Sequence, residues 1–260
     1  LQQAEVDALV AAVSKSPVAG GKPLPIEGAV NYDFKRPERV SKDQMRSLEN
    51  LHEVFARNVG AVLSGYLRSV VDVKLSSIIQ LTYAEFTSNL PTPTCFALVD
   101  APPLEGKIIL EVNPSIVYPI VDRLLGGGRG TTAVPDRPLT EIEQKIVGKI
   151  AQLLLSQLKN IWSRIKEIDF SLAEIESNPQ YRQIVPPNEL VVLITFEISM
   201  GESRGMMNLC IPFTSIEPIM PSFALENIYN FMRKRAGDAD ARAISANLRE
   251  TQVEAVAYIA

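Results

Sequence analysis

The chain has 260 residues, and its 30 acids against 26 bases leave a net charge of -4 with no long block of either sign. With 46% hydrophobic residues it can bury a core in one large or two small domains, but it lacks the basic face that neutralising a nucleic-acid backbone requires. No apolar run approaches the roughly 20 residues that span a bilayer, and Glu5 and Asp7 stand where a secretory signal would carry lysines, so a cytoplasmic protein is expected.

From the start of the chain, Leu1, Val6, Leu9, Val10 and Val13 fall at mostly helical spacing opposite Gln3, Glu5 and Asp7, which predicts a short amphipathic helix over 1–13. Pro17, Gly20, Gly21, Pro23, Pro25 and Gly28 then predict a linker over 14–31. As a flexible coil, ~18 residues separate their ends by about 25 Å. A folded body is expected from Tyr32, spanning 32–225. Ser41 is a natural N-cap for a helix to about Val70, because Met45, Leu48, Leu51, Phe55, Val59, Val62, Tyr66 and Val70 recur every three or four residues. Strands are expected at Val71 to Leu81, Cys95 to Val99 and Lys107 to Val112. A helix from Ser115 to Leu125 then stops at the glycines Gly126 to Gly128.

The pattern then recurs. Thr140 and Glu143 make a capping box for a helix to about Trp162, with Ile142, Ile146, Ile150, Leu153, Leu154, Leu158 and Ile161 on its apolar side. Strands follow at Phe170 to Glu176, Leu190 to Met200 and Gly205 to Ile211, then a short apolar segment. Pro114, Ser115-Ile116 and Pro119-Ile120 have counterparts in Pro212, Ser215-Ile216 and Pro218-Ile219. These parallels imply a duplication of helix, three strands and helix, over about 40–130 and 138–225. The expected fold is α/β, a pseudo-twofold α/β/α sandwich with a mostly antiparallel sheet. Arg233-Lys234-Arg235 and Gly237-Asp238 suggest an exposed connection over 226–247. The apolar Val253 to Ile259 reads as a strand whose partner would belong to a following domain, beginning at 248–260.

Chemistry is sparse. Cys95 and Cys210 lie inside apolar runs and are expected as small buried hydrophobes, not redox or catalytic thiols. The sole histidine, His52, excludes a multi-histidine metal site and reads as a helix-surface or interface residue. The acidic residues spread along the helices read mostly as solvated faces. The run Gly126-Gly127-Gly128-Arg129-Gly130 follows a helix where a phosphate loop opens one, so it matches no nucleotide fingerprint. Two readings stand for it: a helix cap with a flexible loop, or a backbone-exposing contact surface for a partner. No active site, cofactor or metal is expected.

Five stretches carry a resemblance to a known family: YDFKRPERVSKDQMRSLENLHEVFARN at 32–58, LTYAEFTSNLPTPT at 81–94, EGKIILEVNPSIVYPIVDRLLGGG at 105–128, LTEIEQKIV at 139–147 and NPQYRQIVPPNELVVLITFEISMGE at 178–202. They resemble the middle domain of the flagellar motor switch family FliM. That resemblance implies a non-enzymatic subunit of the cytoplasmic switch ring at the inner membrane, with a fold shared with the phosphatases CheC and CheX. The implied partners are FliG, phosphorylated CheY, FliN and neighbouring copies of the family. QQAEVDALV resembles the family's CheY-binding peptide, which assigns Leu1, Glu5, Val6, Asp7, Leu9 and Val10 to CheY. ANLRETQVEAVAYIA resembles the entry to the family's FliN-like C-terminal domain. FliG contact in the family centres on a GG-x-G loop, which assigns Gly126, Gly127, Gly128, Arg129 and Gly130 to FliG. Its register stands open between Gly126-Gly127-Gly128, with Arg129 in place of the last glycine, and Gly127-Gly128-Arg129-Gly130. The alternative is a CheC-like phosphatase acting on phosphorylated CheY, whose signature places Glu and Asn three residues apart on the first helix of a half. The corresponding positions are Lys145, Lys149 and Gln152 in the second half and Glu49, Glu53 and Ala56 in the first, and neither set keeps the pair.

Overall fold

A computed structural model describes residues 39–127 and 134–223. The predicted helix 1–13, both linkers, the segment 248–260 with its strand at Val253 to Ile259, and Gly128, Arg129 and Gly130 lie outside the described residues. Helix α1 spans Lys42–Leu67 and opens with a full capping box, in which the Ser41 hydroxyl accepts from the Gln44 N–H and the Gln44 side chain accepts from the Ser41 N–H. The predicted continuation to Val70 does not occur. Arg68 turns left-handed at φ 47, and the Ser64 hydroxyl takes over both backbone groups of Val71, accepting from its N–H at 2.9 Å and donating to its carbonyl at 3.2 Å. Strand β1, Val71–Thr82, therefore starts at once, and Val70 is left 83% exposed.

Thr82 and Glu85 form a second capping box, for the short helix α2, Tyr83–Ser88. This helix escaped the apolar-periodicity reading, although its T-x-x-E signature stands in the sequence. Strands β2, Cys95–Asp100, and β3, Lys107–Val112, lead to α3, Pro114–Leu124. Helix α4 spans Glu141–Trp162 and is followed by β4, Ser171–Glu176, and a 3-10 turn at Pro179–Tyr181. Strands β5, Leu190–Met200, and β6, Ser203–Pro212, precede α5, Phe213–Ile216, and a closing 3-10 stretch at Glu217–Phe223. Ile142, expected on the apolar side of α4, is 68% exposed: the helix's first turn projects beyond the core, which α4 enters at Val147.

The six strands lie in the order β1-β5-β6-β3-β2-β4, and each hydrogen-bonded pair is antiparallel. Exchanging β1 with β4, β2 with β5 and β3 with β6 reverses this order onto itself. The duplication read from the sequence is thus a twofold axis between β3 and β6, where Ile109 faces Cys210 and Glu111 faces Asn208. Side-chain contacts repeat the symmetry. A Cβ added to Gly205 would come within 2.6 Å of the Ser115 hydroxyl, and one added to Gly106 within 3.2 Å of the Ser215 hydroxyl. Each half's glycine makes room for the serine at the start of the other half's second helix.

The layers on the two faces are unequal. One face buries Ala97, Leu110, Ile194, Phe196 and Met207 beneath α1, α3 and α4, while the other buries Phe96, Leu98, Ile109, Val191 and Cys210 beneath α2 and the segment at Ile184 and Val185. Both cysteines are buried as expected, and loss of hydration raises their thiols, Cys95 to about 12. One acid on a strand, Glu111 in β3, is 1% exposed, a burial the sequence did not announce. Its carboxylate accepts from Thr94 and, at 2.7 Å, from the Asn208 amide, whose oxygen accepts from Thr195 at 2.9 Å. Burial raises the Glu111 carboxyl from its ordinary value, and the bonds from Thr94 and Asn208 oppose that rise.

His52 is also corrected: it is fully buried, because the series Leu48, His52, Phe55, Val59 is a continuous helical stripe against the sheet and α4. Its Nδ1 lies 2.8 Å from the Leu48 carbonyl, which fixes Nδ1 as the protonated nitrogen of the neutral ring. Phe55, Trp162 and Phe196 surround it, with ring centroids 6.3, 5.9 and 6.2 Å away. Desolvation lowers its pKa from 6.5 to about 4, against the smaller opposing effect of the Leu48 bond. Unfolded histidine takes a proton near pH 6.5 while the folded one resists until about 4. Stability from this group is therefore complete above pH 6.5 and declines as pH falls toward 4, by about 3 kcal/mol. Urea unfolding at pH 7.5 and 4.5 should show that decline in the wild type and a clearly smaller one in His52→Leu; an equal decline in both would remove His52 as its source.

Candidate functional site

The sequence points to the segment after α3, and the structure shows how its two ends are held. Asn113 caps α3 through a 2.9 Å bond from the Ser115 N–H, with Pro114 following as the first helical residue. At the far end, Gly126 adopts φ +96, its N–H donates to the Arg123 carbonyl at 3.2 Å, and the Gly127 N–H donates to the Asp122 carbonyl at 2.9 Å. This pair of bonds is a Schellman ending, and it needs a residue that tolerates positive φ at position 126. A Cβ on Gly127 would meet the Asp122 carboxylate at 2.4 Å. Gly126 therefore has a backbone reason to be glycine, while at Gly127 a side chain would have to displace the Asp122 carboxylate.

Arg123 fixes this ending in space. Its Nε donates to the Leu67 carbonyl at 3.1 Å and its guanidinium also donates to the Arg68 carbonyl at 2.9 Å, so the last turn of α3 is tied to the C-terminus of α1. A cation at carbonyls left open by a helix end is favourable twice over, through the hydrogen bonds and through the helix dipole. The contribution of Arg123 was not legible from the sequence, because its partners lie 55 and 56 residues away.

The other end of the segment is held as firmly. The Arg137 guanidinium makes a two-pronged pair with Glu143, both bonds 2.8 Å, and stacks 5.6 Å from the Tyr118 ring centroid. Tyr118 returns the contact by donating its hydroxyl to the Arg137 carbonyl at 2.7 Å. Glu143 also closes the α4 capping box by accepting from Thr140. The Arg137 bonds come first in holding its carboxyl down at about 2, opposed by partial burial and helped by Thr140. Leu125 (65%) and Val134 (47%) stand exposed at the two ends of this segment, and Ile142 stands exposed just beyond. Exposed apolar residues of this kind are ordinary when they stand singly.

Of the other sequence-derived residues, some lie outside the described part and the rest stand on the two long helices. Leu1, Glu5, Val6, Asp7, Leu9, Val10, Gly128, Arg129 and Gly130 lie outside the described residues. Lys145, Lys149 and Gln152 line the exposed side of α4, Glu49 and Glu53 are exposed on α1, and Ala56 points into the core. Among the described residues no cluster of His, Cys, Asp and Glu could hold a metal, and no helix is long and apolar enough to cross a membrane.

The comparisons with known proteins agree on one family. The family model for the flagellar motor switch protein FliM matches residues 41–228. The flagellar motor switch protein FliM of Treponema pallidum is 41% identical over 237 residues, covering 90% of this chain and 69% of its own. That of Bacillus subtilis is 37% identical over 262 residues, covering 100% of this chain and 79% of its own. Among solved structures, one from a FliG-FliM complex of H. pylori superposes with a TM-score of 0.68 at 40% identity, over 70% of this chain and 100% of that one. The H. pylori FliM middle domain gives 0.65 at 39% identity, over 70% of this chain and 99% of that one. With a six-stranded antiparallel sheet under helices and a family match over most of its length, the chain belongs to the flagellar motor switch protein FliM family.

Proposed function

We propose that this chain is a switch-ring subunit at the cytoplasmic face of the inner membrane, whose folded body holds FliG through the segment after α3 and whose N-terminal segment receives phosphorylated CheY. The observation that carries the FliG half is the two-ended anchorage: Arg123 on α1 at one end, and Arg137 on Glu143 and Tyr118 at the other. Pre-ordered ends lower the entropy lost when a loop meets its partner. A related FliM chain has been solved together with FliG. FliG contact is assigned to Gly126, Gly127, Gly128, Arg129 and Gly130, flanked by Leu125 and Val134. The assignment of neighbouring copies in the ring rests on the likeness of the chain to the family. The FliN assignment rests on the likeness of residues 246–260 to the entry of a FliN-like domain.

The body is a scaffold and not a phosphatase. Dephosphorylation in the CheC manner needs a carboxylate and a water-orienting amide side by side. Here α4 presents Lys149 and Gln152, and α1 presents Glu53 beside the buried Ala56. Phosphate loss from phosphorylated CheY should proceed at its spontaneous rate with this protein added; a clear acceleration would restore the enzymatic reading.

For the FliG contact, Gly128→Leu and Leu125→Glu should each weaken FliG binding about tenfold or more, as loss of a central contact does, with little change in melting temperature. Arg123→Met should weaken it too, since the segment loses its anchor on α1. Unchanged affinity in all three variants would leave the glycines as a helix ending only.

For the CheY contact, Val6, Leu9 and Val10 make the apolar stripe with which a helix enters a groove, flanked by Glu5 and Asp7. A helix this short is marginal alone, so ordering on binding keeps the affinity modest and release fast. A peptide of residues 1–16 should bind phosphorylated CheY by calorimetric titration and lose most of that binding on Leu9→Ala. Equal binding to the unphosphorylated protein, or no effect of the alanine, would sink the assignment.

A further inference from the structure

We propose that residues 39–44 form a clasp that joins the two ends of the folded body and couples the segment before it to the segment after Phe223. Residues 39 and 40 lie along the outer edge of the sheet, where β1 pairs with β5 alone among the described residues. There the amide of Gln80 takes both backbone groups of Val40: its oxygen accepts from the Val40 N–H at 3.1 Å and its nitrogen donates to the Val40 carbonyl at 3.1 Å. One side chain thus reproduces the pairing of a neighbouring strand for a single residue, and Val40 is buried to 1% exposure.

The flanking residues grip the other end of the body. The Arg39 guanidinium lies 5.5 Å from the centroid of the Phe213 ring, on the first residue of α5. Gln44, whose oxygen closes the α1 capping box, uses its nitrogen to donate to the Met220 carbonyl at 3.1 Å, across 176 residues of chain. The closing stretch is itself seated in the core by Phe223, whose ring lies 5.6 Å from that of Trp162. The bonds that start α1 and the bonds that hold the final turn therefore share one side chain, and opening either end removes partners from the other. A load on the chain before residue 39 arrives first at Arg39 and Val40, and from there at Phe213 and Met220. Energetic coupling requires a contiguous element that both ends bias, and residues 39–44 supply it.

This coupling rests on the N-terminal segment receiving CheY, and its test separates the two. Hydrogen exchange is followed in the full chain for peptides covering 39–44 and 217–223. Gln80→Leu removes both bonds to Val40, and Gln44→Glu keeps an acceptor for the capping box while removing the donor to Met220. Each should raise exchange by about tenfold at both ends, the effect of losing about 1.4 kcal/mol of bonding, with β3 and β6 unchanged. A rise confined to 39–44 in Gln80→Leu would overturn the clasp. With phosphorylated CheY added, exchange over 217–223 should change in the wild type and not in Gln80→Leu. Binding without any response at 217–223 would overturn the coupling. Absence of CheY binding would overturn the receiver role alone, and the two variants would still decide the clasp.

Discussion

The sheet depends on one antiparallel pairing, β3 against β6, because among the described residues it is the one strand pair that joins β1-β5-β6 to β3-β2-β4. Its central register is set by Glu111 opposite Asn208, which bond through their side chains as well as their strands. A one-residue slip would turn every side chain of β3 to the wrong face, and would set a buried carboxylate beneath the long helices without its donors. The polar row is thus a register device: Thr94 and Thr195 extend it on either side, so that correct pairing satisfies the group and incorrect pairing strands it.

The same seam explains how the two long helices are placed. As each half contributes a helix, three strands and a second helix, the twofold axis puts α1 and α4 on one face, where they meet over Phe196 and bury His52 and Trp162 between them. The segment after α3 inherits its frame from this arrangement. Arg123 reaches α1 and Arg137 reaches the start of α4, so the candidate contact is referenced to both halves at once. The two ends of the segment are thus fixed to different halves of the duplication.

Most of this fold is written locally. Ser41 and Thr140 mark the starts of the long helices, Asn113-Pro114 marks α3, and the repeated proline and serine positions announce the duplication before any contact is known. What was not legible depends on groups far apart in the chain. His52 follows an ordinary helical stripe, and only the packing of α4 and β5 over it makes it buried. Glu111 reads as one more acid until Asn208, 97 residues later, is placed against it. Nothing local marks Arg123, whose partners Leu67 and Arg68 sit at the far end of α1. At the candidate site the glycine run was legible as an ending, while the reasons for Gly126 and Gly127 required backbone angles and the position of Asp122.

The duplicated helices have not kept the same surface: counted from their N-caps, Ser41 and Thr140, the exposed Glu49 and Glu53 of α1 stand where α4 has Gly148 and Gln152. A twofold body with identical surfaces would offer any partner two equivalent places to dock. Once the equivalent positions differ, each surface can be met in one way only, and the symmetry of the fold no longer dictates the symmetry of its contacts.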